Sequence, residues 1–154
     1  MKERRVETAY NAVMRREHTF ETIEHTADVG VIGKGQTRAE AFENAAYGMF
    51  CFVADLGAYP ASTKRTIEVE AEDDVSLLQS FLSALIVLFE GDNMLPLDFD
   101  ITELDGGHLK CEVSARPVGD DIEWLGPAIK AVTYHQMAVE EESGKWSARA
   151  ILDV

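Results

Sequence analysis

The chain switches between two hydrophobic periods, and each switch marks the border of a predicted element. Residues 18–24 (His18-Thr-Phe-Glu-Thr-Ile-Glu24) and 29–33 (Val29-Gly-Val-Ile-Gly33) read as short strands on either side of Thr26-Ala27-Asp28. Thr37-Arg-Ala-Glu40 is a capping-box pattern, in which a hydroxyl and a carboxylate satisfy the opening backbone donors of a helix. Phe42, Ala45, Ala46, Met49, Phe50 and Val53 follow at helical spacing, which predicts a helix to about Asp55, stopped by Gly57 and Pro60. Residues 64–71 then alternate, Ile67, Val69 and Ala71 against Thr66, Glu68 and Glu70, as in a strand with one buried face.

Asp73 or Asp74 can cap a second helix, whose stripe of Leu78, Phe81, Leu82, Leu85, Leu88 and Phe89 is expected to end at Gly91. From there the pattern is β. Residues 99–104 lead into the turn Asp105-Gly106-Gly107. The next strand sets Leu109, Cys111, Val113 and Ala115 on one face. A loop around Pro117 to Pro127 precedes a long strand over about 128–140. Ser143-Gly144 turns the chain into a last strand, with Trp146, Ala148, Ala150, Leu152 and Val154 on one face. The predicted order is ββ-α-β-α-ββββ. Helices do not alternate one-for-one with strands, so the fold class is α+β: a single domain, two helices packed on a mostly antiparallel sheet.

Composition narrows the setting. A chain of 154 residues, 46% hydrophobic and 27% charged, fits one globular domain that needs neither disulfides nor a structural metal. No run of about 18 apolar residues is present, so no membrane is expected. The first residues lack the apolar core of a signal peptide. Cys51 and Cys111 are too few for a disulfide framework and are expected to be inert core thiols, which suits a cytoplasmic location.

The charge is uneven. The net is −14, yet residues 1–17 hold five basic groups and three acidic ones, which leaves −16 on the other 137 residues. Such a body repels polyanions at long range, so direct nucleic-acid binding by the main domain is not expected. Residues 1–16 are set apart as an N-terminal extension before a domain over 17–154. Val6, Tyr10, Val13 and Met14 fall at helical spacing within it. Three readings of the extension stay open: a partner-docking helix or RNA-touching arm, a poorly ordered tail, and a start misassigned upstream of Met14.

Two places concentrate polar chemistry. One is Glu24-His25-Thr26-Ala27-Asp28, between two apolar-leaning strands, where an Asp ordinarily bonds its own backbone. The other is the end, Ile151-Leu152-Asp153-Val154. Alternation sends Asp153 to the face opposite Leu152 and Val154, with the main-chain carboxylate of Val154 a few bonds away. If Asp28 reached them, three negative charges would meet, and a hard divalent cation would relieve their repulsion. Spacing alone favours the plain turn role. His25 and His135 fall near strand positions as groups flanking such a site, and Tyr134-His135 equally suits a partner-contact surface. Gly30, Gly33 and Gly35 match neither phosphate-loop nor dinucleotide spacing, so close β geometry explains them better. No Ser–His–Asp or Cys–His arrangement can be inferred.

Four segments together, Glu24-His-Thr-Ala-Asp-Val-Gly30, Thr37-Arg-Ala-Glu-Ala-Phe-Glu-Asn-Ala-Ala46, Lys130-Ala-Val-Thr-Tyr-His135 and Ile151-Leu-Asp-Val154, resemble the archease family. The resemblance covers about residues 17–154. It implies a non-enzymatic accessory protein of the RtcB-type tRNA-splicing RNA ligase, which uses GTP and manganese and passes through a guanylylated histidine. Archeases are implied to promote that guanylylation and repeated turnover. The resemblance also implies a metal site of Asp28, Asp153 and Val154. Oxygen ligands suit Ca²⁺, Mg²⁺ and Mn²⁺ alike. Two other functions remain as alternatives: a general chaperone or modulator of RNA-modifying enzymes, and a small metal-dependent hydrolase using Asp28, Asp153 and a histidine.

Overall fold

The computed structural model describes residues 2–6 (backbone only), 17–24 and 28–154. The elements are β1 (Lys2–Val6), β2 (His18–Glu24), β3 (Asp28–Gly35), α1 (Arg38–Phe50), a single 3₁₀ turn (Leu56–Ala58), β4 (Thr63–Glu70), α2 (Asp74–Asp92), β5 (Met94–Asp105), β6 (His108–Pro117), β7 (Ala131–Glu142) and β8 (Lys145–Asp153). From β2 onward this is the order expected from the sequence, and the fold is α+β. The strands form two sheets. Five strands run in the order β1-β2-β3-β8-β7, and three in the order β4-β6-β5. Every pairing among the described residues is antiparallel.

The helices lie between the sheets. α1 packs on β2, β3 and β8 of the large sheet and on β5 of the small one, while α2 packs on β7 and on β4, β5 and β6. A helix covered from both sides has no face left for water, and α1 is buried from Ala41 to Phe50 at every position but Asn44. Aromatic contacts tie the layers: Phe42 stacks on Phe81, and Phe50 meets both Phe89 and Phe99. α2 is long and apolar enough to match a membrane span by length and composition. Here Leu77, Leu78, Phe81, Leu82, Leu85 and Leu88 spend that apolar surface on the core.

Thr37 and Asp73 cap the two helices, their side chains accepting the N–H groups of Glu40 and Ser76. Both helices end elsewhere than the sequence suggests. α1 stops at Phe50, and Val53 is buried from the turn beyond it, so its spacing imitates one more helical turn. Gly91 stays inside α2, and Asn93 terminates the helix in the left-handed conformation (φ 54°), its N–H bonded to the Leu88 carbonyl. β5 begins at Met94, five residues before the predicted 99, and β7 begins at Ala131, not 128.

Lys2–Val6 adds an edge strand to β2, with Lys2 opposite Thr22 and Val6 opposite His18. Of the four residues at helical spacing, Val6 falls in this strand and not in a helix, while Tyr10, Val13 and Met14 lie outside the described residues, as do His25, Thr26 and Ala27.

Candidate carboxylate site

β3 and β8 pair along their whole length, and the register sets Asp28 opposite Asp153, followed by Val29 opposite Leu152 and Val31 opposite Ala150. Partners in an antiparallel ladder share a face, with Cβ atoms roughly 4.5–5.5 Å apart. Val31, Ala148, Ala150 and Leu152 belong to the core, so the two aspartates occupy the outer face at the sheet's end. The strand end is pinned from the other side. Ala131 of β7 is also opposite Asp153, and the Lys130 N–H donates to the Asp153 carbonyl at 2.8 Å.

Asp153 is exposed and Asp28 half-buried. Neither carboxylate has a hydrogen bond or ion pair among the described residues. Like charges held directly opposite repel, and a cation between them removes that cost. The Val154 side chain packs on the core, continuing the inward alternation, so the main-chain carboxylate follows Asp153 by one residue on an anchored strand end. Two carboxylate side chains and a terminal carboxylate suit a hard divalent ion. Among the described residues no three His, Cys, Asp or Glu side chains gather as a metal cluster. The third oxygen donor of the set expected from the sequence is the Val154 carboxylate.

Tyr134 and His135 sit in an irregular stretch of β7 between Thr133 and Ala138, with Gln136 at φ 54°. Both are exposed. The Tyr134 hydroxyl donates to Gln79 of α2 at 3.4 Å, and the His135 N–H donates to Thr133 Oγ1. Along β7 they lie three and four residues beyond Ala131, so His135 is on the order of 13 Å from the strand position facing Asp153. A cleft of about 760 Å³ is lined by Lys34, Glu40, Asn44, Glu142 and Trp146. It lies at the opposite end of β3 and β8 and shares no residue with the carboxylate pair.

The glycines of the first βα connection serve packing. A Cβ on Gly33 would lie 2.2 Å from both the Ala41 carbonyl oxygen and the Ala45 nitrogen, so its absence lets α1 approach the sheet. Cys111 is a buried thiol and Cys51 a half-buried one. Sequence reasoning missed two buried polar groups. His18 is 2% exposed, with Nδ1 2.7 Å from Asn44 Oδ1, Nε2 3.2 Å from Asp98 Oδ1, and its ring stacked on Tyr47. It joins the large sheet, α1 and β5. Glu43 ties α1 to β5, accepting the Ile101 N–H. Neither has a local sequence signal, because each depends on partners from distant elements.

The sequence model of the archease protein family (MTH1598/TM1083) matches residues 20–154. This chain belongs to the archease family. The archease of Methanosarcina mazei is 33% identical over 139 residues, covering 88% of this chain and 95% of its own. That of Thermococcus gammatolerans is 36% identical over 140 residues, covering 88% and 98%. The solution structure of Methanobacterium thermoautotrophicum protein 1598 superposes with a TM-score of 0.74 at 35% identity, over 88% of this chain and 98% of that one. The crystal structure of an archease from Thermotoga maritima, described as a possible chaperone, shares the fold with a TM-score of 0.59 at 20% identity, over 86% and 94%. The family match begins at residue 20, so β1 of this archease precedes it.

Proposed function

We propose that this archease is a non-enzymatic, cytoplasmic activator of an RtcB-type RNA ligase in tRNA splicing and RNA repair. It promotes guanylylation and repeated turnover, with Asp28, Asp153 and the terminal carboxylate of Val154 holding a divalent ion, Ca²⁺, Mg²⁺ or Mn²⁺. The observation that carries the reading is the pair of facing carboxylates at a sheet end, neither bonded to another group among the described residues. The family resemblance supplies the partner, and the acidity supplies its attraction. A body of this charge is repelled by RNA but drawn to a ligase surface that must itself be basic to hold RNA.

The aspartates act by position. β3 and β8 fix two oxygens-bearing groups on one face, and the ion, when bound, neutralises their charge and leaves that pole able to meet a nucleotide-binding surface. Assistance of this kind requires tighter binding to the guanylylation-competent ligase than to its resting form. A ligation assay with the ligase of the same cell, with and without this archease, tests the reading. Asp28→Lys should abolish stimulation while the fold persists; full stimulation by that variant would defeat the assignment. The description of the Thermotoga protein as a possible chaperone supports a broader reading. Equal help to several unrelated RNA-modifying enzymes is the result that would favour it.

A further inference from the structure

The pole that carries the two aspartates also carries apolar surface that the fold leaves uncovered. Trp124 is 45% exposed and Leu125 57%. The loop presenting them is held firmly. Leu125 N–H donates to the Val53 carbonyl at 2.9 Å, and Glu123 N–H to the Tyr59 hydroxyl at 2.8 Å. Ile122 and Ile129 are buried on either side, and Trp124 packs edge-on against Phe89 of α2. From there the chain runs to Lys130, whose N–H holds the Asp153 carbonyl, so the platform leads into β7, the strand that pairs with the Asp153 end of β8.

Its frame is acidic. Glu123 is exposed beside Trp124, and Glu90 and Asp92 are exposed at the end of α2. The last turn of α2 has no basic residue. A helix C-terminus already carries partial negative charge, so carboxylates there raise the energy of the end they occupy, and a cationic partner lowers it. Arg116, a neighbouring cation on β6, is spent on a two-pronged pair with Asp121 at 2.7 Å for each contact. Apolar anchors within an acidic frame select a basic protein segment with an apolar side chain among its Lys or Arg residues. The face of Trp124 adds a cation–π surface for those groups. RNA and a second copy of this acidic chain both meet repulsion instead.

We propose that Trp124 and Leu125, framed by Glu90, Asp92 and Glu123, form the platform on which a basic segment of the ligase docks. The proposal rests on the reading above for the identity of the partner, and it separates docking from the role of the aspartates. Calorimetry of this archease with the RtcB-type ligase of the same cell tests it. Trp124→Ala/Leu125→Ser, checked for folding by circular dichroism, should weaken binding about thirtyfold, the size of an interface hot spot. Glu90→Lys/Glu123→Lys, which leaves the apolar pair intact, should weaken it too and flatten its salt dependence. Val87→Ser should bind as the parent does, since Val87 is 66% exposed but two residues from Phe89 and so on another face of α2. Parent-like binding by the folded Trp124→Ala/Leu125→Ser variant overturns the platform while leaving the stimulation assay of Asp28→Lys to stand. No binding by the parent overturns both readings. Self-association or RNA binding that disappears with Trp124 assigns the surface to those occupants and also overturns the proposal.

Discussion

Glu43, on α1, accepts the main-chain N–H of Ile101, on β5, through Oε2 at 2.7 Å, although the residue is only 4% exposed. β5 is an edge of the three-stranded sheet, so N–H groups that point away from β6 have no neighbouring strand to bond. The helix carboxylate takes the place of a missing strand. Glu43→Ala orphans a buried N–H and should destabilise the protein by about 1–3 kcal/mol in denaturant titration, whereas Glu43→Gln, which keeps an acceptor, should cost less.

The facing pair Asp28 and Asp153 makes a prediction that needs no ligase. Without divalent ions the two charges oppose each other, so Asp153→Asn should stabilise the chelator-treated protein by about 0.2–1 kcal/mol. The same variant should lose most of the rise in melting temperature that excess Ca²⁺ gives the parent. A parent melting temperature indifferent to Ca²⁺, Mg²⁺ and Mn²⁺ would remove the cation from the picture.

Lengthening the chain past Val154 isolates the third proposed ligand. A short C-terminal tag displaces the terminal carboxylate but leaves both aspartates in register. Divalent-ion affinity, measured by calorimetry on native and extended chains, should fall on extension; equal affinities would show that the two side chains suffice.

Gly33→Ala drives a Cβ to within 2.2 Å of backbone atoms of α1, which cannot step aside as a flexible side chain would. The loss should reach or exceed the upper end of the roughly 1–3 kcal/mol usual for overpacking. Soluble yield and the denaturation midpoint both report it.

His108 and Glu68 give the small sheet a pH window. The hydrogen bond that the imidazole donates to Glu68 raises His108 above its ordinary 6.5, and the same bond holds the Glu68 carboxyl below its ordinary 4.5. A raised group stabilises the fold below its unfolded value and loses that effect as pH rises through its folded value. A lowered one stabilises above its unfolded value and loses it as pH falls. The pair therefore contributes most between 4.5 and 6.5. His108→Gln should flatten the dependence of melting temperature on pH on both sides of that window.

What could be read in the sequence followed from burial on one face. Leu109, Cys111, Val113 and Ala115 alternate because one face of β6 is covered, and all four are buried. The division into two sheets was not legible, since alternation tells which face is covered and not which strand lies alongside. Helix ends failed where a loop residue kept the helical period, as Val53 does, or where Asn93 took the conformation Gly91 was expected to supply. At the candidate site, the outward direction of Asp153 was readable from its own strand. Its alignment with Asp28 depends on the register of two strands from opposite ends of the chain, which no local pattern encodes. Trp124 and Leu125 were hidden for a related reason: a loop has no period from which exposure can be inferred.

β1 has a practical corollary at the other boundary of the large sheet. Its backbone takes the outermost position and covers the edge of β2, which would otherwise be open to edge-to-edge association. A recombinant version begun at Met14 would hand that position to β2, whose His18-Thr-Phe-Glu-Thr-Ile-Glu24 contains no lysine or arginine. Such a shortened protein should keep the residues its relatives share and yet aggregate more readily when concentrated.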